Sequence, residues 1–177
     1  MVTTFTRFAS PLGELLLAAS DTALTGVYFD TSRLVPPLHV VERGTGGEAV
    51  HGVERGTGGE AVLARTRQQL AEYFAGVRTA FDLPLEAAGS AFEHRVWDAL
   101  RTIPYGVTTS YSELARRLGD PRATRAVGAA NGKNPIPIIV PCHRVIGAHG
   151  ELTGFGGGLD RKRWLLEHEG ALMKLGD

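Results

Sequence analysis

Ser110-Tyr111-Ser112-Glu113-Leu114-Ala115-Arg116-Arg117-Leu118-Gly119-Asp120-Pro121-Arg122-Ala123-Thr124-Arg125-Ala126-Val127-Gly128-Ala129-Ala130-Asn131-Gly132 carries the start and stop signals of two short helices in succession. Ser110 and Glu113 have capping-box spacing: the serine accepts the backbone N–H three residues on, and the glutamate reaches back. Gly119 closes that helix. Asp120-Pro121 opens the next, with the acid as N-cap and the proline where a missing N–H costs nothing, and Gly132 stops it. Ala123, Ala126, Val127 and Ala130 are its expected buried face. Two helices across a tight glycine turn make a helix-turn-helix. Arg122, Thr124, Arg125, Gly128 and Ala129 lie on the other side, long cations suited to phosphates among small residues that let a backbone come close. A core helix pair with solvated arginines is the plainer reading of the same pattern.

Immediately downstream runs Asn134-Pro135-Ile136-Pro137-Ile138-Ile139-Val140-Pro141-Cys142-His143-Arg144-Val145-Ile146. Its prolines exclude a regular helix, and the β-branched Ile138–Val140 predicts a buried, extended floor from which Cys142 emerges. A free cysteine is ordinarily a small buried hydrophobe. Here a histidine follows directly, an arginine comes next, and the expected DNA-facing helix precedes. A thiol attacks carbon as thiolate, of which only a few per cent exists near neutral pH without help. In an extended segment the adjacent His143 side chain points away, so a bridging water is the expected proton relay. A carboxylate orients such a base best. The last helix, with Asp160 as expected N-cap and Gly170 as stop, offers Glu167 and Glu169, and the residues alone do not choose between them.

Upstream, Ser90-Ala91-Phe92-Glu93 is another capping box, heading an apolar stripe of Phe92, Val96, Leu100 and Ile103 that Pro104 and Gly106 end. Thr3–Ala9, Glu14–Ala19 and Leu24–Phe29 read as an antiparallel meander around the turn Ser10-Pro11-Leu12-Gly13. A helix over 63–75 shows Leu63, Leu70 and Phe74 on one face with Gly76 as stop, and Ala80–Leu85 suggests one more strand. Between strands and helix, His39–Val50 (HVVERGTGGEAV) recurs as His51–Val62 (HGVERGTGGEAV) with a single difference. Its period is too short and its copies too few for a solenoid; the first copy reads as a surface loop, the second as a lead-in to the helix.

The 177 residues carry zero formal net charge, which looks wrong for a DNA-binding chain until it is divided. Residues 1–90 hold 7 basic and 10 acidic side chains, residues 91–177 hold 12 and 9, and Arg95 to Arg144 alone hold 8 and 3. The basic half suits a polyanionic partner. No apolar run approaches a membrane span, the N-terminus lacks a secretory pattern, and one cysteine permits neither an internal disulfide nor a Cys-rich zinc site. A cytoplasmic protein is the expectation.

From Phe92 to Gly170 the motifs occur in a familiar order. Pro141-Cys142-His143-Arg144-Val145-Ile146, Arg95-Val96-Trp97, Ile103-Pro104-Tyr105-Gly106, Ser110-Tyr111, Arg125-Ala126-Val127-Gly128, Gly154-Phe155-Gly156-Gly157 and Trp164-Leu165-Leu166-Glu167-His168-Glu169-Gly170 resemble the blocks of the methylated-DNA–protein-cysteine methyltransferases, the O6-alkylguanine-DNA alkyltransferases. The resemblance implies an α+β fold: an N-terminal ribonuclease H-like antiparallel sheet with a helix over 1–85, bearing the duplicated 39–62, and a helical, winged-helix-like domain with the helix-turn-helix over 90–177. It implies Cys142 as acceptor of an alkyl group from O6-alkylguanine, with O4-alkylthymine left open, in a single irreversible turnover. His143 takes the thiol proton through water, Glu169 orients His143, and Asn134 braces the loop. Arg125 fills the gap left by an extruded base and Tyr111 presses on the 3′ phosphate, with Thr124 and Ala129 beside them in the minor groove. Val145, Phe155 and Gly156 line the base pocket, Phe155 lacking the hydroxyl of relatives with tyrosine. No cofactor is implied, and without N-terminal cysteines no zinc. The partner is double-stranded DNA, met by a monomer, with cooperative assembly left open; no membrane is involved. The alternative is a lesion-binding sensor of the same fold, for which Cys142 would have no use.

Overall fold

A computed structural model describes residues 3–30 and 57–173. They form two compact units, divided between Ala88 and Gly89.

In the first unit, β1 (Thr4–Ser10), β2 (Gly13–Ala19) and β3 (Leu24–Phe29) form an antiparallel sheet in sequential order. Facing residues include Phe8 with Leu15 and Leu17 with Val27. Helix α1 (Thr57–Phe74) packs on all three strands. Leu15, Leu17, Val27, Phe29, Leu63, Leu70 and Tyr73 are buried; an apolar core of this kind stabilises by roughly 1.5–3 kcal/mol per large side chain. The meander is as expected. Helix α1, however, starts six residues before the expected 63, so Thr57–Val62 of the second repeat copy is helical rather than a lead-in. Its glycines have a packing reason: a Cβ on Gly58 would collide with the Asp21 carbonyl, and one on Gly59 would lie 2.6 Å from Thr4 Oγ1. Residues 39–56, with the whole first copy, lie outside the described residues. Ala80–Leu85 is not a strand. Only the position of Leu85 bridges Leu24, where Leu24 N–H donates to Pro84 O and Glu86 N–H to Leu24 O; Pro84 itself has no N–H to extend a ladder.

The second unit is helical. Helix α2 (Ala91–Arg101) begins with the full Ser90/Glu93 capping box. A two-residue strand, β4 (Thr109–Ser110), leads into α3 (Tyr111–Arg117), then α4 (Thr124–Gly132). Ser110 Oγ accepts Glu113 N–H as expected, while the Glu113 carboxylate binds Arg116 and Arg117. Gly119, at φ 90°, makes the turn of the helix-turn-helix. Asp120 caps a 3-10 turn over Pro121–Ala123 instead of opening α4 directly, and the buried face of α4 is only in part the one expected. Val127 and Ala130 are buried, but Ala126 is exposed and Ala123 only half-buried. Trp97 Nε1 donates to Ala130 O at 2.9 Å, fastening α2 to α4. Strand β5 (Val145–Ile146) pairs parallel with β4, and α5 (Leu159–His168) ends the unit. Gly158, not Asp160, is the N-cap of α5; Asp160 sits in its first turn. No helix among the described residues is long and apolar enough to cross a membrane.

Candidate active site

The loop before Cys142 is buried as expected but not extended. Val140 N–H donates to Ile136 O, and Ile138 turns the chain at φ 74°, a conformation costly for a β-branched residue and kept only where the surroundings dictate it. Here Asn134 dictates: its Nδ2 donates to Val140 O at 2.8 Å and its Oδ1 accepts Ile136 N–H at 3.0 Å. One buried amide thus ties both ends of the turn on which the cysteine stands.

Cys142–Arg144 is itself a 3-10 turn rather than a continuing extended segment. Cys142 is 5 % exposed and His143 is fully buried. His143 Nε2 lies 2.8 Å from Glu169 Oε1, whereas Glu167 Oε1 is buried without a hydrogen-bond partner among the described residues. Glu169 is the C-cap of α5. With Nε2 donating to a carboxylate, Nδ1 is the acceptor nitrogen of a neutral ring; it is buried and has no partner among the described residues. Burial pushes the Cys142 thiol up, against the pull of the Asn134 hydrogen bond and the Lys162 charge. Burial also pushes the His143 imidazole down, further than Glu169 lifts it. At rest the pair is thiol and neutral imidazole. Burial would raise the Glu169 carboxyl, but hydrogen bonds from His143 and Arg144 outweigh it and hold the group well below the ordinary carboxylate range.

Lys162 was missed by the sequence reading. It is fully buried, and its Nζ donates to Val145 O and Thr153 O at 2.6 Å each, with Tyr111 Oη 3.4 Å away. Burial, opposed by Cys142, pushes it down to about 8. The signal was available: Lys162, Leu165, Leu166 and Glu169 recur at i, i+3, i+4 and i+7, so two charges share the buried stripe of α5. Asn131 was also missed; from the buried side of α4 its Nδ2 donates to Cys142 O at 3.4 Å.

The structure gathers Cys142, His143, Glu169, Asn134 and Val145 around one turn. Arg125 and Ala129 stand apart on the exposed face of α4, with Thr124 half-buried beside them. Tyr111 lies between the groups. Its ring would be 3.8 Å from a Cβ on Gly128, and its hydroxyl donates to Thr153 O at 3.0 Å. Phe155 is half-buried and Gly156 exposed in the loop before α5.

Two family models match this chain: the DNA-binding domain of 6-O-methylguanine DNA methyltransferase over residues 91–171, and its ribonuclease-like domain over residues 2–87. The chain belongs to the 6-O-methylguanine DNA methyltransferase family. A methylated-DNA–protein-cysteine methyltransferase of Mycolicibacterium paratuberculosis is 51% identical over 160 residues, covering 90% of this chain and 88% of that one. One from Shigella flexneri is 43% identical, covering 94% and 95%. Among solved structures, Mycobacterium tuberculosis OGT in complex with DNA superposes with a TM-score of 0.80 at 44% identity, covering 95% of this chain and 93% of that one. For a methyltransferase of this family, the fold is the α+β arrangement that the sequence implied.

Proposed function

We infer that this chain repairs DNA by moving the alkyl group of an O6-alkylguanine onto Cys142, once per molecule. The observation that carries the reading is the buried His143, held at Nε2 by Glu169 with Nδ1 left as acceptor and next in the chain to the buried Cys142, in the same unit as a helix-turn-helix whose outer face bears Arg125. A lesion sensor would need no such relay behind its thiol.

A buried thiol cannot reach a base inside a duplex, so the nucleotide is rotated out at a cost of a few kcal/mol, less for a damaged pair. The outer face of α4 enters the minor groove, with Arg125 filling the vacated stack, Thr124 and Ala129 against the backbone, and Tyr111 by the 3′ phosphate. Val145, Phe155 and Gly156 line the pocket. The Cys142 proton passes through a water to His143 Nδ1 while Glu169 holds Nε2. Sulfur then bonds the alkyl carbon, the carbon–O6 bond breaks, and its electron pair stays on guanine, which takes up one proton. The product thioether is a very poor leaving group, so the molecule is consumed. A cytoplasmic setting fits a lone thiol that must stay reduced.

Single-turnover reaction with a duplex bearing O6-methylguanine, followed by digestion of the DNA, tests this. Expected is one guanine restored per protein molecule, with His143→Ala slower by about 10²- to 10⁴-fold. Many guanines restored per molecule, or an undiminished rate in His143→Ala, contradicts it.

A further inference from the structure

Arg144 is as deeply placed as the relay and has no part in it so far. It is 6 % exposed. Its Nε donates to Glu169 Oε2 at 2.8 Å and its Nη2 to Glu169 Oε1 at 2.9 Å, a two-pronged grip on the carboxylate. Its Nη1 donates to Ile103 O at 2.6 Å, just past the end of α2, and the guanidinium lies 5.8 Å from the centre of the Tyr105 ring. Glu169 Oε1 therefore serves two donors, His143 and Arg144, while Oε2 serves Arg144.

A lone buried carboxylate beside an imidazole is a counter-ion. It orients the ring, but it also favours the protonated form, in which Nδ1 carries a hydrogen and can no longer accept one. The charged groups acting on His143 are Glu169 and Lys162 from α5 and its end, and Arg144 from its own turn, with Cys142 next to it in the chain; Tyr105, after α2, lies against Arg144. Among the described residues Glu169 is the only anion facing the ring, and Arg144 is the cation bonded to that anion.

We propose that Arg144 is a positioning residue: by gripping Glu169 with two hydrogen bonds it lets the carboxylate align His143 without acting as its counter-ion, and so keeps Nδ1 free for the Cys142 proton. Arginine is required rather than lysine, because only a planar fork fixes the carboxylate in one orientation while also reaching Ile103 O. The inference rests on His143 being the base, as read above.

The test is the pH dependence of alkyl transfer from free O6-benzylguanine, which removes DNA binding from the measurement. Arg144→Met should move the acid limb of the rate upward by about one to three pH units, whereas Arg144→Lys should keep the limb near its wild-type position and lower the plateau. A folded Arg144→Met protein with a slower rate and an unmoved limb overturns the proposal, leaving Arg144 as packing. Nitrogen NMR of His143 in the unaltered protein gives a second reading that does not depend on the variant folding. The ring should be singly protonated, on Nε2, at neutral pH, and a doubly protonated ring there overturns the proposal. An unchanged rate in His143→Ala would be a different failure, that of the base assignment itself.

Discussion

The two units bury different things. Among the described residues of the first, the buried polar side chains are Ser20, Thr66 and Gln69, all uncharged and all hydrogen-bonded to backbone. The second buries Arg144, Lys162 and Glu169 together with His143, Asn131 and Asn134. Burying charge costs several kcal/mol per ion unless the group is paired and fully hydrogen-bonded, and apolar residues of similar volume would fill the same space at less cost. The first unit buries apolar and uncharged side chains, whereas the second holds charged groups in place at a cost in stability.

Glu169→Gln should break the second unit most severely. It keeps one oxygen that can accept from His143, but it sets an amide NH2 against the Arg144 Nε donor and leaves Arg144 an uncompensated buried cation, a loss of about 3–5 kcal/mol, with transfer lowered as His143 loses its fixed orientation. Trp97 and Trp164, the only tryptophans, both lie in this unit, so their fluorescence in urea follows its unfolding. Circular dichroism of the first unit's sheet and α1 should show little change at the same urea concentration.

Acid should separate the units in the same sense. Glu169 is held below its ordinary range by its hydrogen bonds, so its stabilisation is present above the unfolded carboxylate value and lost as pH falls beneath it. His143 is held down by burial, so the unfolded chain takes up a proton first and stability falls with pH below about 6.5. The two effects add. The tryptophan-monitored urea midpoint should therefore drop from pH 7 to pH 5 and further below pH 4; a flat midpoint would mean that the buried relay is not charged as described.

Arg125 sharpens the comparison within the second unit, because it is exposed and free of the relay. Arg125→Ala should weaken repair of duplex DNA by about 1–3 kcal/mol and leave reaction with free O6-benzylguanine unchanged. Equal loss on both substrates would make Arg125 a residue of the fold.

The smallest effect is expected from deleting His51–Val62 in the first unit. Joining Val50 to Leu63 brings Thr45–Val50 into the place of Thr57–Val62, and the two segments are identical. Every side chain of α1 is restored, with Gly46 and Gly47 supplying the close approach now made by Gly58 and Gly59. Loop closure changes by only about 0.6 kcal/mol per halving of length. Melting temperature and transfer rate should both match the parent; a loss of several degrees would show that the lost segment packs on something.

Local signals read well from sequence. The turn signals between β1, β2 and β3, the Ser90 box and the glycine stops depend on neighbours a few residues away, and each stands where its signal put it. What failed depended on distant partners. Ile138 adopts positive φ because Asn134 ties the loop across it, which propensity cannot foresee. Ala126 faces outward because α4 packs on α2 and α3 through a face that buries Val127, Ala130 and Asn131 instead. The stripe spacing could have marked Lys162 as buried, but not its partners, since the carbonyls of Val145 and Thr153 that receive it come from elsewhere in the chain. Glu169 could be chosen over Glu167 from the resemblance but not from spacing, as both lie within a turn of the helix end.

The central claim is that Cys142 is the terminal acceptor. Intact-mass measurement after incubation with excess O6-methylguanine duplex, followed by peptide mapping, tests it most directly. The account predicts a single added methyl group per molecule, confined to the peptide that contains Cys142, and none in Cys142→Ser although that variant still binds the duplex. Guanine restored in excess of the protein, with Cys142 unmodified, or a methyl group found on any other residue, would contradict it.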